Sequence, residues 1–298
     1  MKRMLAGRTK IRSAKIGESS RIAPRHTDVT TYPSARRVVD LESSESWPSS
    51  LLGYLAAHHH VFLNWATGAV AIDAAIYDRA IYGLMDALQD FAIIGWHCTR
   101  LTDGEIEAIS LEGMHLPNAT MLARRVDAAI DAGLLAADIG ELFKAKNQAH
   151  EPNRAGKIWF CFFPPHIAGE GGVGDLFRFW GGEGLYNSHD RDPQTCAILK
   201  ALGTPSIVEA EIPVAYLSIA GGLPFKVARR YLISRGYDTS ETCDHEDRVE
   251  TPLPPSCIRR VIRFPDPDCL DLSGCITWFD QLTILGLQST SGGRHGGA

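Results

Sequence analysis

The sequence predicts an α+β domain with a split or strongly bent mixed sheet flanked by short helices. The first observation is the order of the segments: one predicted strand precedes several helices, a second strand, short helices and further strands. Because strands and helices do not alternate, a doubly wound parallel sheet is not expected. Second, no glycine-rich motif follows a strand in the manner of a Rossmann or P-loop turn. Third, 45% of the 298 residues are hydrophobic and 22% are charged, so the chain can bury a substantial core.

The predicted sheet is built from five segments of strand-like composition. Residues 92–96 are a short apolar run, which indicates a buried strand. Residues 157–163 carry aromatic side chains on both faces, so we expect them in the middle of the sheet, covered on both sides. Residues 206–212 alternate apolar and acidic, the pattern of a half-buried strand. The last two strands are predicted near 246–251 and over 258–264, joined by a proline-rich turn.

Helix signals lie between these strands. Thr102 and Glu105 have the spacing of a capping box, and the helix that they begin is predicted to end at Gly113. Asp192, followed by proline, begins another helix that ends at Gly203. Further helices are predicted over 69–91, after Pro117-Asn118 as far as Gly133, over about 138–148, before Trp180, and over 224–235.

We expect three regions along the chain. Residues 1–48 form a basic leader, residues 49–285 form a single α+β domain, and residues 286–298 form a flexible tail rich in Gly and Ser. Residues 1–37 hold ten Lys/Arg against two acidic residues, a charge of +8, whereas the remainder carries −13. The leader therefore has an attraction for nucleic acid that the body lacks. Its scarcity of large apolar residues predicts disorder.

Composition also predicts the compartment. The seven cysteines form no CxxC pair, and Cys98 and Cys161 lie in apolar segments. We therefore expect free thiols in a reducing, cytoplasmic setting. No run of about 18 or more apolar residues occurs, so we expect no membrane-spanning helix.

The first candidate for chemistry is the cluster His97-Cys98-Thr99-Arg100 at the end of the strand 92–96. An imidazole there can present one nitrogen to a ligand while the backbone holds the other. Thr99 shares the face of His97 because strand side chains alternate, and Arg100 adds a fixed positive charge. The alternative is a histidine at the edge of the core that a backbone carbonyl satisfies.

Aromatic side chains are the second candidate group. Trp159 and Phe160 lie in the aromatic strand and could stack on a flat ring, although both also suit a core. Tyr186 follows a glycine-rich turn, where the backbone can approach a ligand closely.

Carboxylates are the third candidate group. Glu209 and Glu211 are two residues apart on one predicted strand, so they share a face, either as an acid/base pair or as a solvated surface. Glu246 stands where a loop enters a strand, a place that suits the stabilisation of positive charge.

Together these segments resemble the ADP-ribosyltransferase superfamily of the His-aromatic-Glu type, over about residues 92–264. Trp96-His97-Cys98-Thr99 is similar to the family's first core strand, where a histidine is followed by a small residue and threonine. Residues 110–116 resemble a helix that leads to glycine and a hydrophobic residue. Residues 157–163 are similar to the aromatic strand beside the nicotinamide pocket. Glu246, the proline-rich turn and the strand 258–264 match the outline of the family's late Glu strand and closing strand.

This resemblance implies an enzyme that uses NAD as substrate and requires no metal. It implies ADP-ribosyl transfer to a macromolecular or small-molecule acceptor, or NAD hydrolysis, as in bacterial toxins and defence enzymes. Glu246 would stabilise the oxocarbenium ion formed as nicotinamide leaves, with Glu209, Glu211 and Glu250 as competing candidates. By the same resemblance, His97 bonds a ribose hydroxyl, and the backbone of Cys98, beside Thr99, holds the nicotinamide amide. One of the aromatic residues Tyr186, Trp159 and Phe160 stacks on the nicotinamide ring. Arg100 or Arg154 binds the pyrophosphate.

Two hypotheses from other functional classes compete with the ADP-ribosyltransferase interpretation. The first is a non-catalytic α+β module that binds nucleic acid or a protein partner through the basic leader. The second is a metal-dependent hydrolase that draws its ligands from the histidines at 97, 115, 166 and 189. The acceptor and the oligomeric state are left open by the sequence.

Overall fold

The computed structural model describes residues 37–218, 220–239 and 243–282, and within them the fold is α+β. Six strands of this part of the chain form one mixed sheet. They are β1 (Arg37–Val39), β2 (Phe91–Leu101), β3 (Ile158–Cys161), β4 (Thr204–Pro213), β5 (Glu246–Val249) and β6 (Ile258–Arg263).

Short helices connect and cover the strands. In chain order they are α1 (Ser49–Ala57), α2 (His59–Thr67), α3 (Ala74–Leu88), α4 (Asp103–Glu112), α5 (Ala119–Asp131), α6 (Ala137–Ala145), α7 (Gly169–Arg178), α8 (Glu183–His189), α9 (Pro193–Ala201), α10 (Leu223–Ser234) and α11 (Pro267–Ser273). Over the described ranges, none of these helices has both the length and the apolar character that a bilayer crossing requires.

The sheet is split along one edge of its central strand. The strand order is β5-β3-β2-β4-β6, and β1 also pairs with β2. On one edge, β2 pairs with β4 without interruption from Ala92 to Leu101. On the other edge, β1 runs parallel to residues 91–93 of β2, and β3 pairs with β2 only at Trp96. Two short strands thus share one edge of β2.

Local capping signals fix several helix ends as expected. The Thr102 hydroxyl accepts from the amide of Glu105, and the Glu105 carboxylate accepts from the amide of Thr102, so the predicted capping box begins α4. The Asp192 side chain caps α9, with proline at its first position. These polar bonds satisfy amides that would otherwise lack partners at helix starts.

The core near the candidate site has two parts. Helix α7 covers one face of β2 and β4 through Val173 and Phe177, which pack against Trp96, Cys98 and Ile207. A second cluster lies among α5, α6, α8 and α9 and includes Leu122, Val126, Phe143, Trp180, Leu185 and Leu199.

The domain begins earlier than predicted. Residues 37–48 belong to the fold, because Arg37–Val39 forms β1 and Val39, Leu41 and Trp47 are buried. Residues 1–36 of the predicted leader lie outside the described residues, as does the predicted tail 286–298.

Two expectations about strand burial were wrong. The acidic alternation of β4 predicted a half-buried strand, yet Glu209 is only 7% exposed, because α7 and arginines from β6 cover its face. Strand β3 does lie inside the sheet, between β2 and β5. It is not covered on both sides, since Trp159 is 41% exposed while Phe160 is buried.

Candidate functional site

Folding brings the three predicted segments side by side. Strand β3 lies between β2 and β5, and Trp96, Cys161 and Glu246 form one row across the three strands. In the described chain, the Trp96–Cys161 pair is the one backbone register pair that joins β2 to β3. Beyond this row no register pair joins β2 to β3 in the described chain, and we call this unpaired stretch, which begins at His97, the gap or split between β2 and β3.

The His97 imidazole bridges the gap between β2 and β3. Its Nδ1–H donates to the backbone carbonyl of Trp159 at 2.9 Å, and its ring lies 5.8 Å from that of Phe160. A carbonyl can only accept, so the bond fixes the tautomer and leaves Nε2 as an acceptor. Burial lowers the pKa of His97, the Trp159 bond opposes this, and the charge of Arg125 lowers it further. His97 is therefore neutral at pH 7, with Nε2 open to a donor such as a hydroxyl.

Strand alternation divides the predicted residues between two sides of the sheet. Thr99 shares the side of His97, as expected. Cys98 and Cys161 interact on the opposite side, and burial, Cys161 and the charge of Glu246 raise the pKa of Cys98 well above its usual value. Glu246 thus projects with Cys98, away from the side of His97. A ligand that contacts both must therefore contact both sides of the sheet.

Arg100 is buried on the Cys98 side and is held by backbone carbonyls. Its Nε donates to Leu202 O at 2.8 Å and its Nη1 to Phe177 O at 3.2 Å. Burial lowers its pKa to about 10, so it stays charged at pH 7. These bonds tie β2 to α7 and to the turn before β4, and they direct Arg100 away from the gap.

The carboxylate of Glu209 is surrounded by donors. It accepts from Trp96 Nε1 at 3.3 Å, from Arg259 Nε at 2.9 Å and from Arg260 Nη2 at 3.3 Å. A register shift at Glu209/Ala210 places an extra residue in β6, which brings two adjacent arginines to one carboxylate. The negative charge of Glu209 is therefore compensated by the two arginines.

The other predicted carboxylates differ in how far neighbouring arginines compensate their charge. Glu211 pairs with Arg259 at 3.1 Å, and Glu250 pairs with Arg248 at 3.0 Å. The Glu246 side chain is exposed and makes no hydrogen bond or ion pair with any residue that the structure describes. Of the four predicted candidates, Glu246 has the least compensated charge within the described ranges.

We expect Glu209→Gln to lower stability without removing any activity that depends on Glu246. Loss of the charge weakens three donor contacts in a buried place, which predicts a cost of about 1–2 kcal/mol after allowance for the exposed arginines. Glu211→Gln, with one exposed partner, should cost less than about 0.5 kcal/mol. Urea unfolding of both variants measures this, and equal stabilities would contradict the network.

The predicted aromatic residues lie in three different environments. Phe160 is buried and contacts His97 and Phe162, so it belongs to the core. Tyr186 is half-buried in the cluster of α5, α6, α8 and α9, where burial raises its pKa to about 12. Trp159 is the exposed one, and the Arg248 guanidinium lies 5.2 Å over its ring. Trp159 is therefore the most exposed of the three rings, and Arg248 already lies over it.

Sequence reasoning missed Arg125, a half-buried arginine of α5. Its Nε donates to Glu105 at 2.5 Å, its guanidinium lies 4.9 Å over the Trp180 ring, and its charge acts on His97. The predicted alternative, Arg154, instead pairs with both Glu151 and Glu183. The capping-box spacing singles out Glu105 in the sequence, but no local signal links Glu105 to an arginine twenty residues later.

The histidines of the metal-hydrolase reading lie in separate parts of the fold. His115 bonds Glu112 at 3.1 Å, and buried His189 bonds the carbonyl of Lys146 at 2.8 Å. His166 lies in a short turn after β3. Over the described ranges, no group of three or more His, Cys, Asp or Glu is arranged to hold a metal ion.

The fold and the site define this chain as an α+β domain with a mixed sheet split beside a neutral histidine. No protein-family model matches the chain, and neither a curated protein nor a solved structure matches it. The residues at the split are therefore the evidence for function.

Proposed function

We propose that this protein cleaves the bond between nicotinamide and ribose in NAD and transfers ADP-ribose to an acceptor or to water. The observation that carries the proposal is the adjacency of β2, β3 and β5 at the row Trp96, Cys161 and Glu246. These strands hold the segments on which the resemblance to ADP-ribosyltransferases depends. They are far apart in the sequence, and a structural role alone does not require them to meet beside a gap.

The chemistry needs a carboxylate that is free to act on a developing cation. The C1′–N bond breaks with its electron pair leaving on nicotinamide, and the ribose becomes an oxocarbenium ion. An acceptor oxygen or nitrogen then bonds C1′ and loses a proton. A negative charge beside the sugar lowers the barrier by stabilising the cation. Glu246 suits this role better than Glu209 or Glu250, since arginines already compensate those two carboxylates.

The remaining groups supply binding. The acceptor Nε2 of neutral His97 suits a ribose hydroxyl, and the exposed ring of Trp159 suits the flat nicotinamide. Cys98 lies on β2 two residues after Trp96, the residue that pairs with β3. Its peptide group is our candidate for binding the nicotinamide amide. Tyr186 and Arg100 are less suited, because the first packs among helices and the second bonds carbonyls.

Incubation of the full-length protein with NAD, followed by chromatography for free nicotinamide, tests the proposal. We expect nicotinamide to appear, with ADP-ribose in solution for hydrolysis or attached to a protein or nucleic-acid acceptor for transfer. A chelator should leave the rate unchanged, since no step uses a metal. Absence of nicotinamide with every class of acceptor would overturn the proposal.

A nucleic-acid-binding module is the second candidate, favoured by the charge of +8 on residues 1–37. Removal of residues 1–36 should then abolish binding to nucleic acid, while substitutions at His97 and Glu246 should leave it intact. A toxin or defence role and a cytoplasmic location remain predictions from the sequence.

A further inference from the structure

A cavity of about 220 Å³ lies at the end of the sheet where β2 ends and β4 begins. It is lined by the turn from β2 into α4, by the turn from α9 into β4, and by the last residue of β6. Strand register places Leu101 beside Thr204 and Ser206 beside Arg263, so three adjacent strands meet there. Sites for whole cofactors measure about 300–1,000 Å³, so this cavity suits one small chemical group.

Arg100 contributes a buried positive charge to the lining of this cavity. It is 3% exposed, and its Nε and Nη1 donate to two neutral carbonyls, those of Leu202 and Phe177. Burial lowers the pKa of Arg100, and no carboxylate acts in the opposite direction. Because a buried charge without a counter-charge is costly, an anion that reaches Arg100 is stabilised.

One nitrogen of Arg100 is open to such an anion. Nε and Nη1 make the bonds that Arg100 forms with the described residues, so Nη2 has no acceptor among them. Nη2 is also not among the side-chain atoms that are closed to solvent without a partner. Because the rest of Arg100 is buried, the cavity is the opening through which a ligand reaches this nitrogen.

Arg263 and the start of α4 add positive potential to the same cavity. Arg263 Nη2 pairs with Asp103 at 2.8 Å, and both side chains are exposed, so another anion can replace Asp103. The amide of Asp103 is at the first position of α4, where no helical partner exists, and the capping box uses the amides of Thr102 and Glu105. Arg125 compensates the charge of Glu105, and the helix dipole favours an anion at this end.

We propose that this cavity is an oxyanion site that binds a phosphate group, either free phosphate or the end of a phosphate ester, between Arg100 and Arg263. One phosphate oxygen accepts from Arg100 Nη2, and the phosphate replaces Asp103 as the partner of Arg263. Guanidinium groups match phosphate geometry, and their bonds to charged oxygens are stronger than those to neutral acceptors. The site lies on the β4 edge of β2, whereas the split lies on the β3 edge, so it does not rest on the proposed function.

Titration of the full-length protein with inorganic phosphate at constant ionic strength tests the site. We expect saturable binding, and binding at least about tenfold weaker in Arg263→Gln, because a charge-assisted hydrogen bond is worth about that factor. Arg124→Gln is the matched control, since it removes the same charge from an exposed position of α5 outside the cavity. Equal affinities of Arg263→Gln and wild type, or no binding by wild type at millimolar phosphate, would overturn the site.

Asp103→Asn tests the site in the opposite direction, because a loss of folding cannot produce tighter binding. Removal of the carboxylate that competes for Arg263 should strengthen phosphate binding by about two- to fivefold, the worth of an exposed ion pair. Glu107→Gln removes an exposed carboxylate from the same helix outside the cavity and should leave the affinity unchanged. Unchanged or weaker binding in Asp103→Asn would contradict the site.

The role of Arg100 is tested by Arg100→Lys, which keeps the charge but loses the planar guanidinium. We expect it to bind phosphate at least about tenfold more weakly than wild type. If Arg100→Lys does not fold, the side-chain Nε–H signal of Arg100 in wild type replaces it, and this signal should shift saturably with phosphate. The Nε–H signal of Arg154, which pairs with two carboxylates, should not move. Phosphate binding that leaves Arg100 unmoved would overturn the site.

Glycerol 3-phosphate and glycerol distinguish the two sources of the phosphate group. Tighter binding of glycerol 3-phosphate than of phosphate would indicate an ester as the ligand, and equal affinity would indicate free phosphate. In both cases the affinity should fall in Arg263→Gln. Glycerol that binds as tightly as glycerol 3-phosphate would contradict an oxyanion site.

Discussion

Glu246→Gln is expected to lower nicotinamide release by about 10²–10³-fold, the usual effect of removing one group that stabilises charge in a transition state. The substitution keeps the size of the side chain and removes its charge. The Glu246 side chain is exposed and makes no hydrogen bond or ion pair with a described residue, so the stability of the protein should stay within about 0.5 kcal/mol of wild type. Steady-state release of nicotinamide and urea unfolding measure the two quantities.

Glu250→Gln is the matched control, because Glu250 follows the same strand and differs in being paired with Arg248. We expect its turnover to stay within about twofold of wild type, because an exposed ion pair contributes little energy. Full activity in Glu246→Gln would remove Glu246 from the mechanism. Glu246 and His97 project to opposite sides of the sheet, so a similar loss of activity in His97→Ala would mean that the substrate contacts both sides.

Gly113→Ala is expected to cost at least about 3 kcal/mol of stability, because backbone strain and a steric clash coincide there. Gly113 has φ +82° and ψ −160°, a region that only glycine adopts readily. A Cβ at this position would lie 2.0 Å from the carbonyl oxygen of Leu253. That oxygen accepts from Met114 N at 2.8 Å, in the bridge that joins the end of α4 to the turn before β6.

Gly133→Ala separates the strain from the clash. Gly133 has φ +70°, and a methyl group added there would have no described atom within 4 Å, so only the backbone penalty of about 1–2 kcal/mol applies. Denaturant unfolding of both variants measures the difference. Equal costs would show that the Leu253 contact relaxes freely and that the bridge does not hold α4 in place.

Sequence signals that act locally were reliable in this chain. The capping box at Thr102 and Glu105 and the Asp192 cap depend only on neighbouring residues, and both helices begin where expected. The apolar run 92–96 located the central strand, although β2 continues to Leu101 because β4 pairs with its polar end. Polar residues at 97–101 gave no strand signal of their own.

Features that depend on distant pairing could not be predicted. Strand β1 has three residues and is held in the sheet by its parallel pairing with β2. Because that partner is distant in the sequence, residues 37–39 were predicted as part of the leader. The bulge that brings Arg259 and Arg260 to Glu209 is a one-residue shift between β4 and β6. For the same reason, the side of the sheet on which Glu246 projects became visible only with the register Cys161–Glu246.

Binding of NAD against His97, at the split between β2 and β3, is the central element of the proposed function. Titration of NAD into Glu246→Gln, which we expect to bind NAD without cleaving it, tests this directly through the side-chain nitrogen signals of His97. We predict a saturable shift of His97 with no shift of His115. A saturable NAD interaction that leaves His97 unmoved, or no interaction at millimolar NAD, would contradict this binding site.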